Sequence, residues 1–574
     1  MAETNPILPA NRSLLYLIAF LTGLACLALE IVAFSVLAPS VGLNIYVNGA
    51  VLSVFMMGLS VGYYVGGRMG DRSRGFLPLV AAIAIVAGLV AAVPSLKGPV
   101  ENLVLRQPPL SHALEAFLFA AALFLLPSVL LGFVSPFIAA RLAAGGKGVG
   151  GTVGRVFMVS TVGSNAGALL TTFVGFNYPI SEQLFFISVV LGASAVLGIL
   201  ASVLAAAAAR PASAGAGFPP AVSVPPAAAP VSRLPLMALA FALPLLLGPA
   251  AAPAATEATH SDATIYEKDT FYHHLTVRDI DGKRYLIFGA NRKTGGEDGE
   301  RTQTSQSGMM LSDPNRSCLT YTDYFHFAFA LRPKAKRIAL VGCGGGSTPK
   351  EFLKNYKDIE LQVVELDPEV VKVAKEHFKL PLDDKRLKVT VEDGRRFFRI
   401  APPEQKYDVI LLDAYHHSWL PFHMLTKEYF ALLKEHLTDD GIIVQNLIAA
   451  LENPPPGDKG KGKGKDLLHS LLKTLELTFP TVYVMPVPGY DERIDRLDRA
   501  RVRNVMLFAT RDKKRMSLSE LEVAVKAGIE ARRIADYQGL QTKAKTMLPE
   551  RLEPAAGQVL TDDFAPVNHM VPIP

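Results

Sequence analysis

Charged side chains are distributed very unevenly along this chain, and that distribution constrains its fold more than any other feature. Only 15 of the residues from 13 to 253 are charged, whereas residues 254–574 carry 93 charged side chains. The first segment is too apolar for the surface of a soluble domain, and a bilayer-spanning helix needs about 20 consecutive apolar residues. The sequence therefore predicts a membrane half joined to a soluble half.

Seven apolar stretches in the first half are long enough to cross a hydrocarbon layer about 30 Å thick. They lie near residues 13–37, 45–66, 76–96, 113–140, 154–177, 183–209 and 233–253. The last stretch follows a Pro/Ala-rich segment with the composition of a flexible linker. We predict a bundle of about seven transmembrane helices, divided into a six-span membrane domain over 1–209 and a linker with a seventh span over 210–257.

Basic residues in the connecting loops predict the orientation of the bundle, because Lys and Arg are enriched in cytoplasmic loops. The even-numbered loops contain or border Arg68, Arg72, Arg74, Arg141, Lys147, Arg155, Arg210 and Arg233, and the odd-numbered loops contain only Lys97 and Arg106. The N-terminus and the even-numbered loops are therefore predicted to be cytoplasmic. Six crossings would return the soluble half to the cytoplasm, whereas a seventh would place it on the opposite side.

Two features inside the predicted bundle bear on packing and function. Gly58, Gly62, Gly66 and Gly70 recur every four residues, which predicts a smooth helix face for close helix packing. Glu30 is the only charged residue in the first span, where a carboxylate is energetically costly. For Glu30 two interpretations stay open, a structural hydrogen bond and a role in transport or substrate binding.

The composition of the soluble half excludes several classes of function. Its net charge is only +1, whereas nucleic-acid-binding domains usually carry a basic surface, so nucleic acid is not an expected partner. The three cysteines, Cys26, Cys318 and Cys343, form no CxxC pair, and neither a disulfide framework nor a metal site is expected.

The soluble half divides into two patterns. Residues 264–289 alternate apolar and polar residues around Asp281-Gly282, which predicts a β-hairpin within a small β domain over 258–333. From residue 334 to 574, seven apolar runs alternate with helical stretches. That alternation predicts a mostly parallel, Rossmann-like α/β sheet with helices on both faces.

Glycines and acids follow four consecutive strands of this predicted sheet. Gly342, Gly344 and Gly346 follow the first strand and precede a helix, a pattern that lets the backbone approach a ligand closely. Glu365 follows the second strand about 20 residues later, where a carboxylate accepts hydrogen bonds from ribose hydroxyls. Asp367 comes directly after it.

The third strand ends in Asp393-Gly394 and the fourth in Asp413. Ligands bind at the carboxyl edge of such sheets, so these residues are expected to meet there. A dinucleotide enzyme would share the first two positions. The two further acids fit better with a nucleoside whose base and reactive tail both need positioning, as in S-adenosylmethionine or its decarboxylated form.

Several motifs resemble one known family. RIALVGCGGGSTPKEFL, QVVELDPEVVKVA, VTVEDGRRFF and YDVILLDAY are similar to segments of the spermidine synthases, the polyamine aminopropyltransferases, and above all of their membrane-fused bacterial relatives. QSGMMLSDP, LPFHMLTKEYF and LTDDFAPVNHM extend the likeness over roughly 258–574. The resemblance implies a class I methyltransferase-like domain preceded by a small β domain.

The resemblance also implies roles for single residues. Glu365 would bind the ribose and Asp393 the adenine amino group, while Asp413 would accept the proton of the attacking amine and Tyr415 would shape the amine channel. An amine with a pKa near 10 is protonated at neutral pH and cannot attack until a nearby carboxylate takes its proton.

The chain departs from the family pattern at two places. Gly345 occupies the position of an aspartate that binds an amino group, and the loop after Asp413 lacks a second aspartate and has His416 instead. An unpaired ammonium is costly to desolvate, so other groups have to bind a cationic amine. We predict that Gln306, His416, Asp562 and Asp563 bind the substrate, with Glu30 as a further acid if the site faces the bilayer.

The predicted function is that of a membrane-bound aminopropyltransferase, which moves an aminopropyl group from decarboxylated S-adenosylmethionine to a polyamine or other amine. The alternatives are an S-adenosylmethionine-dependent methyltransferase and a transporter fused to a non-catalytic nucleoside-binding module. The predicted partners are a small-molecule amine and the lipid bilayer of a bacterial plasma membrane, with a homodimer left open. Co-substrate supply favours a cytoplasmic soluble domain and the seven-span count favours the opposite side.

Overall fold

The computed structural model describes most of the chain. The described residues are 9–42, 45–73, 75–105, 111–144, 148–208, 263–270, 272, 274–288, 305–415, 420–452, 464–489, 492–493, 497–531, 533–535, 539–548, 551–552 and 557–567. The predicted linker, the seventh apolar stretch 233–253 and His416 lie outside these residues.

Six long helices form the N-terminal half. They are α1 (Pro9–Val41), α2 (Ile45–Arg72), α3 (Leu77–Val104), α4 (His112–Ala143), α5 (Val149–Phe173) and α6 (Ile180–Ala208). Each is long and apolar enough to cross a membrane. They coincide with six of the seven predicted spans, so within the described residues the number of long apolar helices is six rather than seven.

The glycine face of α2 packs directly on α4, as the four-residue spacing predicts. A Cβ at Gly62 or Gly66 would overlap backbone atoms of Val129 or Phe133, and one at Gly58 would overlap the side chain of Ser128. Because no side chain separates the two helices, their backbones approach closely. The glycines therefore have a packing role.

A small antiparallel sheet begins the C-terminal half. Its strands β1 (Ala263–Asp269), β2 (His274–Ile280), β3 (Lys283–Phe288) and β4 (Ser305–Met310) pair in sequence order. Asp281 and Gly282 both have positive φ, as a two-residue hairpin turn requires. The predicted hairpin is confirmed. A 3₁₀ segment (Thr320–His326) and α7 (Phe327–Leu331) connect this sheet to the next one.

The second sheet has seven strands, and each corresponds to one of the predicted apolar runs. They are β5 (Arg337–Val341), β6 (Glu360–Glu365), β7 (Leu387–Val391), β8 (Tyr407–Leu412), β9 (Leu437–Ala449), β10 (Thr481–Pro486) and β11 (Arg503–Thr510), in the order β10-β11-β9-β8-β5-β6-β7. Strands β5 to β9 are parallel, and β10 and β11 are antiparallel to their neighbours. The Rossmann-like fold is confirmed.

Helices cover both faces of this sheet, which is why its strands are apolar on both sides. They are α8 (Ser347–Asn355), α9 (Pro368–Glu376), α10 (Gly394–Ile400), α11 (Lys427–Glu435), α12 (Gly464–Glu476), α13 (Leu518–Glu530) and α14 (Leu540–Ala544). Ile338, Ala339, Leu340 and Val341 of β5 are all buried. The chain leaves β5 toward β6 and β7 and returns to β8 on the other side, so the strand order reverses between β5 and β8, where ligands bind in such sheets.

Candidate active site

A cavity of about 520 Å³ opens at the carboxyl ends of β5 to β8. The structure brings eight of the predicted site residues to its wall: Gln306, Gly342, Gly344, Glu365, Asp393, Gly394, Asp413 and Tyr415. The small sheet contributes to the same wall through Phe288 of β3 and Ser305 and Ser307 of β4. The cavity therefore lies between the two sheets of the soluble half.

The glycine loop after β5 packs closely against the end of β8 in the cavity wall. Gly342 has φ +96°, and a Cβ there would overlap the carbonyl oxygen of Asp413. Gly346, with φ +69°, is the N-cap of α8 and lies outside the cavity lining. Without side chains the loop passes directly beside the end of β8, and this contact brings the Asp413 carboxylate to the loop.

Glu365 is fixed from both sides by the backbone. Its Oε2 accepts a hydrogen bond of 2.8 Å from the Cys343 N–H, and its Oε1 accepts one of 3.0 Å from the Asp367 N–H. Burial raises the pKa of Glu365, while these two backbone donors oppose the rise. The carboxylate is thus held in one orientation at the cavity wall beside the glycine loop.

Asp393 caps the N-terminus of α10. Its Oδ1 accepts from the backbone N–H groups of Arg395 and Arg396 at 3.0 and 2.9 Å, and its Oδ2 lies 3.1 Å from Nε2 of His423. Burial alone would raise the pKa of Asp393, but His423 and the backbone donors outweigh it and lower the pKa to about 2. Asp393 is therefore an ionised hydrogen-bond acceptor in the cavity wall.

Asp413 is surrounded by neutral side chains. Its Oδ2 accepts a hydrogen bond of 3.0 Å from the Tyr321 hydroxyl, and its Oδ1 accepts one of 2.8 Å from the Asn446 side-chain amide. Asn504 donates in turn to the Asn446 side-chain oxygen at 3.0 Å. Burial raises the pKa of Asp413, and the hydrogen bonds from Asn446 and Tyr321 oppose the rise. A carboxylate with a raised pKa is a better proton acceptor than one with an ordinary pKa.

Tyr415 lines the same part of the cavity, and its hydroxyl bonds to the backbone rather than to the Asp413 carboxylate. The hydroxyl accepts from the Ile448 N–H at 2.9 Å and donates to the Asn446 carbonyl at 3.2 Å. Burial raises the pKa of Tyr415 well above its usual range, so the hydroxyl stays neutral. These two hydrogen bonds fix the position of the Tyr415 ring, which forms part of the cavity wall.

Four predicted residues lie elsewhere in the molecule or outside the described residues. Asp367 is the N-cap of α9 and accepts from Glu369 N–H at 2.9 Å and Thr270 Oγ1 at 2.6 Å. His416 lies outside the described residues. Asp562 forms two 2.6 Å hydrogen bonds with Arg395, and Asp563 accepts from Ser181 at the start of α6.

These positions argue against the predicted amine-binding role of Asp562 and Asp563, because both carboxylates are engaged by other partners and neither lines the cavity. Asp367 likewise serves helix α9 rather than the cavity. Glu30 lies 11 residues before the end of α1, about 16 Å from that end at 1.5 Å per residue. It does not line the cavity either.

Sequence reasoning missed the three polar residues of the hydrogen-bond network around Asp413: Tyr321, Asn446 and Asn504. Asn446 lies near the carboxyl end of β9, the next parallel strand after β8, so the strand-end rule that selected Asp413 also applies to it. Tyr321 belongs to the 3₁₀ segment and Asn504 to an antiparallel strand, and neither is part of a recognisable motif.

Fold and cavity together define a Rossmann-like, methyltransferase-type domain fused to a bundle of long apolar helices. Comparison with known proteins shows which family of Rossmann-like domains this part of the chain is similar to. Residues 320–455 match the family described as "Spermine/spermidine synthase domain". This segment contains the glycine loop, Glu365, Asp393 and Asp413. Within the C-terminal half, residues 320–455 are therefore similar to spermine/spermidine synthase domains.

Individual relatives agree with this result. The chain is 31% identical over 186 residues to a polyamine aminopropyltransferase of Vibrio vulnificus, a match that covers 32% of this chain and 58% of the relative. It is 30% identical to a probable polyamine aminopropyl transferase of Bifidobacterium longum over 32% of this chain and 37% of the relative. The chain thus spans roughly half the length of these relatives.

A solved spermidine synthase in complex with the transition-state analogue AdoDATO aligns with a TM-score of 0.36 and 17% identity. The alignment covers 50% of this chain and 84% of that structure.

Proposed function

We propose that this protein is a membrane-bound aminopropyltransferase that transfers an aminopropyl group from decarboxylated S-adenosylmethionine to a polyamine or another amine. The observation that carries the proposal is the half-buried Asp413 carboxylate, which lines the cavity next to the glycine loop and is held by Tyr321 and Asn446. The match of residues 320–455 to the spermine/spermidine synthase domain and the similarity to polyamine aminopropyltransferases support it.

One end of the cavity suits a nucleoside, and we call Gly342, Gly344, Glu365, Asp393 and Gly394 the nucleoside end. Glu365 accepts hydrogen bonds from the ribose hydroxyls, because the backbone fixes its two oxygens beside the loop. Asp393 accepts from the adenine amino group, since an ionised carboxylate has lone pairs beyond those used by its cap and His423.

The other end contains Asp413, Tyr321, Asn446 and Tyr415, and we call it the amine end. The Asp413 carboxylate takes a proton from the protonated amine, whose free nitrogen lone pair then attacks the aminopropyl carbon beside the sulfonium. A C–N bond forms, the C–S bond breaks, and its electron pair neutralises the sulfur, leaving a thioether nucleoside. Burial favours this step because it raises the pKa of Asp413.

The remaining features of the proposal concern architecture. We place the membrane domain at 1–209, the linker and seventh span at 210–257, the small β domain at 258–333 and the catalytic domain at 334–574. Six apolar helices support attachment to a bilayer, which we take to be a bacterial plasma membrane. Gln306 on β4 lines the cavity and remains a proposed substrate-binding residue.

Methyl transfer from S-adenosylmethionine is the second candidate. It is favoured by Gly345, because that residue replaces an acid of the family pattern and a Cβ there would lie only 2.7 Å from the Phe378 ring. An aspartate would not fit at this position without a shift of Phe378. The two candidates differ in the tail of the donor, which is an amine in one and an amino acid in the other.

Calorimetry on the purified full-length protein in detergent distinguishes them. The titrants are decarboxylated S-adenosylmethionine, S-adenosylmethionine and methylthioadenosine. We expect the decarboxylated donor to bind more tightly than S-adenosylmethionine. Tighter binding of S-adenosylmethionine, which has the amino-acid tail, would favour methyl transfer. If none of the three compounds binds, the remaining hypothesis is a transporter fused to a non-catalytic module.

A further inference from the structure

We infer that the soluble domain lies on the extracytoplasmic side of the membrane, docked on the acidic end of the helix bundle. The inference rests on which end of the bundle contacts the domain, on the charges at the two ends and on the path of the chain. It does not depend on the reaction that the domain catalyses.

The turn between α1 and α2 is the first docking point. Arg399 Nη1 of α10 donates a hydrogen bond of 2.8 Å to the Ser40 carbonyl at the end of α1. Gly42 follows with φ +82°, and a Cβ at this residue would lie 2.6 Å from Cγ of Asp393. The end of α1 therefore lies directly against the residue that caps α10.

The turn between α3 and α4 is the second docking point. Glu115 in the first turn of α4 is buried and accepts from Arg396 at 2.7 and 3.0 Å. Glu101 near the end of α3 pairs with Arg399. His112 Nδ1 at the start of α4 lies 3.3 Å from Glu392.

The turn between α5 and α6 is the third docking point. Asp563 accepts from the Ser181 N–H at 2.7 Å and from the Ser181 hydroxyl at 2.5 Å, and its own carbonyl accepts from the Ile180 N–H at 2.7 Å. Because the six helices alternate in direction, the turns after α1, α3 and α5 all lie at one end of the bundle. The soluble domain contacts this end at all three turns.

The two ends of the bundle differ in charge. The end away from the soluble domain has Arg12, Arg68, Arg72, Arg141 and Arg155 at the described helix termini, with Asp71 as the single acid beside them. The docking end has Glu101, Glu115 and Glu182 and, among the described residues, Lys97 as its basic residue. Lys and Arg mark the cytoplasmic end of a membrane protein. The docking end is therefore the extracytoplasmic one.

The path of the chain requires one more crossing. Helix α6 begins at the docking end, has 29 residues and ends at Ala208, about 43 Å away along its axis. Strand β1 begins at Ala263 in the domain that contacts the docking end. Ala208 and Ala263 therefore lie at opposite ends of the bundle, and the inference requires one further crossing between them. The apolar stretch 233–253 is long enough for this crossing.

Cysteine labelling in spheroplasts tests the inference with the full-length protein. Val523, on α13, is 67% exposed, and Val149, at the start of α5, is 46% exposed at the other end of the bundle. With a membrane-impermeant maleimide, we expect Val523→Cys to be labelled in intact spheroplasts and Val149→Cys only after permeabilisation. The unmodified chain, which has three cysteines of its own, gives the background labelling. The reverse pattern, or protection of both positions, would overturn the inference.

A phosphatase fusion and a deletion variant test the same inference without a cysteine substitution in a folded region. Alkaline phosphatase fused after Pro574 is expected to be active, since it is active only outside the cytoplasm, and an inactive fusion at normal expression contradicts the inference. Deletion of 233–253 is expected to abolish the phosphatase activity. Activity that persists after the deletion would exclude the seventh crossing at this stretch.

Discussion

At the nucleoside end of the cavity the backbone holds the carboxylates, whereas at the amine end two neutral side chains hold Asp413. Glu365 and Asp393 each accept two backbone N–H groups. Asp413 accepts from Tyr321 and Asn446 instead. Backbone donors are fixed by the loop and the helix they belong to, so the nucleoside end is rigid wherever the fold is intact.

The two environments suit the two roles that we propose for this edge of the sheet. The donors around Asp393 lower its pKa to about 2, which suits an acceptor that stays ionised throughout the reaction. The pKa of Asp413 is raised by burial, which suits a group that gains a proton during each turnover. Four substitutions test this division, and they are given in decreasing order of the change that we expect.

Replacement of Asp413 by Asn is expected to have the largest effect. The asparagine side chain has the same size and still accepts a hydrogen bond, but it cannot take the proton of the amine. Turnover should fall by about 10³-fold, within the range for loss of a general base, while donor affinity stays within about threefold. Single-turnover kinetics and calorimetry with methylthioadenosine measure the two quantities. A large loss of donor affinity would contradict the division of the cavity into two ends.

Replacement of Glu365 by Gln is expected to weaken nucleoside binding by roughly 10- to 100-fold, because hydrogen bonds to a charged group contribute about 1.5–3 kcal/mol. The matched control is Asp367→Asn, two residues further on. Asn remains a good N-cap for α9, and the side chain lies outside the cavity lining. Equal losses of methylthioadenosine affinity in both variants would show that Glu365 acts only through the local fold.

Replacement of Tyr321 by Phe is expected to change the pH dependence rather than the maximal rate. Asp413 has to be ionised to accept a proton, so activity is present above its pKa and is lost as the pH falls through it. The Tyr321 hydrogen bond lowers the pKa of Asp413, and its loss raises that pKa. The acidic limb of kcat/KM should therefore move upward by about one pH unit.

The control for this shift is Tyr415→Phe. The Tyr415 hydroxyl bonds to the backbone of Ile448 and Asn446. We expect the acidic limb to stay in place in this variant. Movement of the limb in both variants by the same amount would mean that a general change in the cavity, and not the Tyr321 hydrogen bond, sets the pKa of Asp413.

Replacement of Asp563 by Asn is expected to have the smallest effect on the site. Asp563 contacts Ser181 at the start of α6 and does not line the cavity. The KM for the amine should stay within about twofold of the parent value. A rise of tenfold or more would restore the amine-binding role predicted for this residue from the sequence.

The regular parts of the fold were predictable because their patterns are local. Seven apolar runs predicted the seven strands of the second sheet, Asp281-Gly282 predicted the hairpin turn, and the four-residue glycine repeat predicted the close packing of α2 on α4. Each of these signals depends on neighbouring residues or on helical periodicity. The docking of the soluble domain on the bundle has no such signal.

The site residues were predictable only where a glycine or an acid directly follows the end of a strand. Glycines and acids at the ends of β5 to β8 identified six residues of the cavity wall, whereas Tyr321 comes from a 3₁₀ segment far from any strand end. The partners of Asp562 and Asp563 were not predictable, because two adjacent acids give no information about which residues they meet. Their partners, Arg395 and Ser181, are 167 and 382 residues away in sequence.

The placement of Asp563 also has a consequence for how strongly the two halves need to bind each other. The soluble domain is covalently tied to the bundle before β1, at its first strand, and Asp563 contacts α6 close to the other end of the domain. A covalent connection raises the effective concentration of the two halves, so contacts that would be too weak between separate proteins suffice within one chain. Charged pairs such as Glu115 with Arg396 can therefore form the interface. Two separately expressed halves mixed at micromolar concentration should consequently not assemble.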